Sequence, residues 1–103
     1  MSIEEQILLL DNLQSLLEKQ IAMARRSNFR GVERLAEQAN FIVEEIAEAK
    51  CFEKSEFGGH RERLTKLYKE LELMLTGSKD SVAGQLRQVG NVRKTLAAYS
   101  NKG

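Results

Sequence analysis

Val32, Leu35, Ala39, Ile42, Ile46 and Ala49 follow one another at alternating steps of three and four residues. That spacing keeps side chains on one stripe of an α-helix and, sustained over several turns, makes a coiled-coil seam. Nothing in the composition interrupts such helices, because the chain of 103 residues has no Pro and no Trp and few aromatics. Leu, Ala, Glu, Lys, Arg and Gln dominate instead, the profile of long helices rather than of a sheet. The length fits one domain, and a chain of this size buries roughly two thirds of the surface it would expose unfolded. The seam places Ile42 in the middle of the core, so Ile42→Ala is expected to leave a costly cavity.

The other helices are read outward from this one. Ser2 and Glu5 form a capping box at the start of a first helix whose stripe is Ile3, Ile7, Leu10, Leu13, Leu17, Ile21 and Ala24, widened by Leu9, Leu16 and Met23. Ser27 and Asn28 are cap candidates for the seam helix, with Gly31 in the turn or in the first helical turn. In "CFEKSEFGGH" the pattern gives out and Gly58 and Gly59 mark a loop. A third helix carries Leu64, Leu67, Tyr68, Leu71, Met74 and Leu75 and ends at Gly77, a left-handed cap. Ser78 or Asp80 can cap a fourth element containing Val82, Leu86, Val89, Val92, Leu96 and Tyr99. The expected fold is therefore all-α, one domain over 1–103: an elongated antiparallel bundle of three to four helices (about 3–26, 29–52, 60–76 and 80–99) with a long N-terminal helical hairpin.

Net charge is +1, so no global field argues for nucleic acid or a membrane surface. The distribution is uneven: Met1 to Phe57 holds seven Lys/Arg against eleven Asp/Glu, and Gly58 to Gly103 nine against four. The start "MSIEEQILLL" is acidic where a signal peptide would be basic, no apolar run has the length of a membrane span, and Cys51 is the single cysteine. A cytoplasmic protein without disulfides is expected.

Catalytic constellations are hard to assemble. His60 is the single histidine, so a His-based metal site within one chain is not expected. It follows two glycines and precedes Arg61, Glu62 and Arg63, without the small neighbours of a phosphotransfer histidine. Glu33, Glu37, Glu44, Glu45 and Glu48 read as a solvated helix face rather than an acid–base pair or a cation site. Cys51 lacks a partner His or second Cys. The expectation is no enzyme, no cofactor and no metal.

"LRQVGNVRKTLAAYSNKG" stands apart. Leu86, Val89, Val92 and Leu96 form an apolar stripe flanked by Arg87, Arg93 and Lys94 and followed by Tyr99, a basic amphipathic helix suited to the bundle, a partner helix or a membrane surface. Gly84 and Gly90 weaken it by about 1 kcal/mol each, so its docked and open states are expected to differ by little. Leu86, Val89, Val92, Arg93, Lys94, Leu96 and Tyr99 are the candidate partner-binding residues.

In order and spacing, "LLEKQIAMARRSNFRGVERLAEQANFIVEEI" and "LRQVGNVRKTLAAY" resemble the flagellar type III export chaperones of the FlgN and FliT class. The first is similar to that family's first helix, short polar turn with an aromatic, and leucine-rich second helix. The second is similar to its Leu and basic C-terminal helix ending in an aromatic. The resemblance implies a cytosolic chaperone that binds a helical terminal segment of a late-assembling flagellar protein, a hook-associated or filament cap protein, and keeps it unassembled before export, with the export apparatus as a further contact. It implies that Leu86, Val89, Arg93, Lys94, Leu96 and Tyr99 contact the bound subunit or shield the site that does. The alternative from the residues alone is a self-associating coiled-coil structural or signalling module, such as a homodimer. A variant of it, a hairpin like the small secreted ESAT-6 proteins, wants a Trp-x-Gly turn that this Trp-free chain lacks.

Overall fold

A computed structural model describes residues 1–78 and 83–100. Four helices, α1 (Ile3–Arg25), α2 (Phe29–Glu48), α3 (Gly58–Thr76) and α4 (Ala83–Ser100), form an all-α bundle measuring 40 × 25 × 18 Å. α1 and α2 make the N-terminal hairpin, α3 and α4 a second one, and α1 against α3 joins them. One apolar core runs through all four helices, from Leu10, Leu13, Leu17 and Ile21 through Val32, Ala39 and Ile46 to Leu64, Tyr68, Leu71, Leu75, Val89 and Leu96.

The start of α1 is the expected capping box: Ser2 Oγ accepts from Glu5 N at 3.1 Å while the Glu5 carboxylate reaches back to Ser2 N. The α1–α2 corner is tight. Ser27 takes the left-handed conformation at φ 59° and donates to Ala24 O, and Asn28 N donates to Met23 O at 2.9 Å, which closes the last turn of α1 as a Schellman motif. Asn28 then caps α2 by accepting from Gly31 N. Gly31 lies in the first turn of α2, and a Cβ there would fall 2.5 Å from Met23 Sδ. The close approach of the two helices requires glycine.

Two boundaries and one cap differ from the sequence reading. α2 stops at Glu48 instead of running to Phe52, because Cys51 and Phe52 would project about 140° and about 120° away from Ile46 at ~100° per residue. A left-handed Lys50 (φ 56°) breaks the helix instead. Two 3₁₀ turns, Cys51–Glu53 and Ser55–Phe57, then bring Cys51, Phe52 and Phe57 into the core at 0, 4 and 3% exposure. Arg61 holds this connection by donating through Nη1 to the carbonyls of Phe52 and Lys54, and Lys54 Nζ donates to Gln6 Oε1 at 2.6 Å. Gly58 and Gly59 are not a loop but the first residues of α3, with Gly58 in ordinary right-handed geometry. Gly77 is not a left-handed cap either, since its φ is −79°. The cap proposed at Asp80 and the stripe position Val82 lie outside the described residues.

The seam is narrower than its spacing suggests. Val32, Ala39 and Ile46 are buried, whereas Leu35, Ile42 and Ala49 are half-buried along the flank. Ile42 lines a shallow dent with Asn12, Ser15, Leu16, Lys19 and Gln38, so it is not the mid-core residue expected above. The hairpin buries a single stripe because α1 covers only one side of α2.

The two glycines of α4 prove unlike each other. A Cβ on Gly84 would meet nothing within 4 Å, but one on Gly90 would fall 2.7 Å from Glu72 Oε2. The Glu72 carboxylate lies over the Gly90 backbone and accepts from Arg93 Nε at 2.7 Å. Gly84→Ala is therefore expected to stabilise the fold by roughly 0.5 kcal/mol. Gly90→Ala should gain less than Gly84→Ala, because the tip of Glu72 must shift and its pairing with Arg93 is disturbed. Urea melts of the two variants check this, and an equal gain in both would show that the Glu72–Arg93 pair does not depend on glycine.

Candidate functional site

α2 is supported by α1, and α4 by α3. Across the bundle α2 and α4 face each other over a cleft. Its mouth holds about 320 Å³ between Glu33, Ala36, Glu37 and Asn40 of α2 and Gly84, Gln85 and Gln88 of α4. Inward it narrows to a void of about 10 Å³ among Gln20, Val32, Ala39, Tyr68, Val89 and Val92, the room of a single water. The cleft exists because small side chains, Ala36 and Gly84, stand where a filled helix interface would carry Leu-sized ones.

Its floor is polar and ordered. Gln20, 2% exposed, donates through Nε2 to Val32 O at 3.0 Å and so ties α1 to the first turn of α2. Tyr68 is buried, and removal from water pushes its phenol far above the usual range, so it stays protonated. Gln85 Oε1 is buried without a hydrogen-bond partner among the described residues. Glu33 and Glu37 are exposed at the rim, and no described Lys or Arg pairs with either.

The residues singled out on α4 are divided by the fold. Val89 and Leu96 are buried in the core at 7 and 0% exposure, and Leu86, Val92 and Tyr99 pack partly buried against it. The Tyr99 ring stands 6.4 Å from that of Phe52, which places the end of α4 beside the first 3₁₀ turn. Arg93 is held by Glu72, and Lys94 is exposed. Of this set, Val89 and Val92 line the inner cleft. Of the α2 residues that line the cleft, Val32 and Ala39 belong to the expected seam and Glu33 and Glu37 to the expected solvated face, while Ala36 and Asn40 were not singled out. The signal that could have found them is the pair Ala36 and Asn40, small and polar one turn apart beside an apolar seam.

No family model, curated protein or solved structure matches the chain. The remaining chemistry-bearing residues are dispersed. His60 Nε2 lies 3.5 Å from Asp11 Oδ1, with its ring edge-on to Phe57. Cys51 is fully buried, and desolvation pushes its thiol up against a smaller opposing pull from Lys54; a raised thiol is a poor nucleophile at neutral pH. Among the described residues no three His, Cys, Asp or Glu side chains gather as metal donors, and no helix is long and apolar enough to cross a membrane.

Proposed function

We propose that the protein is a non-enzymatic binding protein that captures an amphipathic helical segment of a partner, and that it acts as a flagellar export chaperone. In this role it holds the terminal helix of a hook-associated or filament cap protein in the cytoplasm before type III export. The observation that carries helix capture is the open cleft between α2 and α4, two long helices presenting facing walls with small residues between them. A helix laid across the mouth would meet Ala36 and Gly84 as small residues and Asn40, Gln85 and Gln88 as polar ones. The flagellar assignment is supported by the order and character of the helices and by the basic, aromatic-ended α4.

Titrating the full chain with terminal segments of hook-associated and cap proteins tests the reading. Saturable one-to-one binding, with amide shifts on α2 and α4, is the expected result. If every segment is ignored while the protein forms a tight homo-oligomer, the self-associating module replaces the chaperone.

A further inference from the structure

The dent beside Ile42 lies between α1 and α2 and borders neither α3 nor α4. It holds about 250 Å³, and half-buried Leu16 and Ile42 form its apolar part. Arg34, Gln38, Phe41 and Glu45 follow one another at steps of four, three and four residues, so they share one stripe of α2. Gln38 lines the dent and thereby fixes the side on which that stripe lies. Leu8, Asn12, Ser15 and Lys19 repeat the same steps on α1, and the last three also line the dent. Each stripe holds one large apolar side chain out in water, Phe41 at 69% and Leu8 at 60% exposure. Apolar groups gathered at a surface and rimmed by polar ones mark an interaction site.

The charges on this face select its occupant. Lys19 and Arg34 stand toward the α1–α2 corner and Glu45 toward the other end of the hairpin, and none of the three has an ion-pair partner among the described residues. A two-fold axis perpendicular to the helices reverses the ends, so a second copy brings its Glu45 to Arg34 and its Arg34 to Glu45. Because the steps of four, three and four read the same in both directions, the register that sets Arg34 against Glu45 also sets Phe41 against Gln38 of the other copy, at the edge of the dent. We propose that the chain forms an isologous homodimer through this face, with antiparallel α2 helices at its centre, Phe41 of each copy in the dent of the other, and an Arg34–Glu45 pair on either side. Two helices side by side, about 30 Å long and about 20 Å wide, offer roughly 600 Å² per copy, so the dimer buries roughly 1,200 Å², the lower edge of stable interfaces. A single foreign helix covers about half of that width and leaves Phe41 or Leu8 in water. The face shares no residue with the α2–α4 cleft, since Ala36 and Asn40 lie on the opposite flank of α2 from Gln38 and Ile42. The dimer is therefore independent of helix capture and leaves the cleft open.

Sedimentation velocity of the full chain, from about 1 µM to about 1 mM, reads the association. The expected result is a rise from the monomer mass of 11.7 kDa toward twice that value. Phe41→Ser, at an exposed position, should weaken dimerisation about tenfold while leaving the melting curve of the dilute chain unchanged. Arg34→Glu alone and Glu45→Arg alone should each weaken it, since each sets like charges against one another on both sides of the axis. An equimolar mixture of these two variants should associate again, because opposite charges then meet at both pairs. Raising the ionic strength from roughly 0.05 to 0.5 M should weaken the unaltered dimer. A monomer at every concentration, a dimer untouched by Phe41→Ser, or a mixture of the charge variants that stays monomeric while each keeps its melting curve would each overturn the proposal. A monomer that still captures flagellar segments would overturn the dimer and leave the proposed function intact, whereas a dimer with these mutational effects that ignores every segment would support the dimer and remove the chaperone.

Discussion

Ile46→Ala is expected to cost about 2–5 kcal/mol of unfolding free energy, whereas Ile42→Ala, four residues earlier on the same stripe, should cost about 1 kcal/mol. Ile46 has 0% exposure and sits in the contiguous core, so truncation leaves a cavity that neighbours on other helices cannot close without moving backbone. Ile42 is half-buried beside an open dent, so its removal forfeits only part of a side chain's transfer free energy. Domains of this size are stable by only about 5–15 kcal/mol, so the first variant should shift the urea midpoint far more than the second. Equal losses would mean that α1 and α2 share a symmetric seam and that the burial pattern described here is wrong.

Leu96→Asp is expected to undock α4. Leu96 is fully buried near the end of that helix, and a carboxylate there must lose its hydration or leave the core. Leaving is the cheaper course, because α4 is supported mainly by α3. Hydrogen exchange should then show the amides of Gln85 to Ala98 losing protection by orders of magnitude while α1 and α2 keep most of theirs. Simultaneous loss in every helix would instead make α4 part of one cooperative unit with the hairpin. Unchanged protection would place Leu96 outside the core. The partner titration can be repeated on the same variant, where loss of the α4 wall should weaken capture by the cleft.

The helical character of the chain, its four-helix order and the first capping box were legible from local sequence, because periodic apolar spacing, caps and the lack of Pro act over a few residues. The contiguous apolar stripe also put Val89 and Leu96 in the right company, as residues needing cover. Where local rules failed at the α2–α3 connection, at Gly90 and along the seam, the reason was a long-range contact. Gly58 and Gly59 read as breakers, yet both lie in the first turn of α3, and the break falls at Lys50 because Cys51, Phe52 and Phe57 must reach a core made by other helices. Gly90 read as a weakness in α4, yet its missing Cβ is the space in which Glu72 meets Arg93, a neighbour from a different helix. The division of the seam into buried Ile46 and half-buried Ile42 depended on how far α1 covers α2, which no period in α2 encodes.

The cleft is the clearest case. Glu33, Ala36, Glu37 and Asn40 belong to the polar flank of one helix, and Gly84, Gln85 and Gln88 to that of another, some fifty residues away in the chain. Sequence determined that each helix has an apolar stripe and a polar flank. The bundle decided which flanks face each other, because α1 and α3 are the packed inner pair and leave α2 and α4 to meet across the gap.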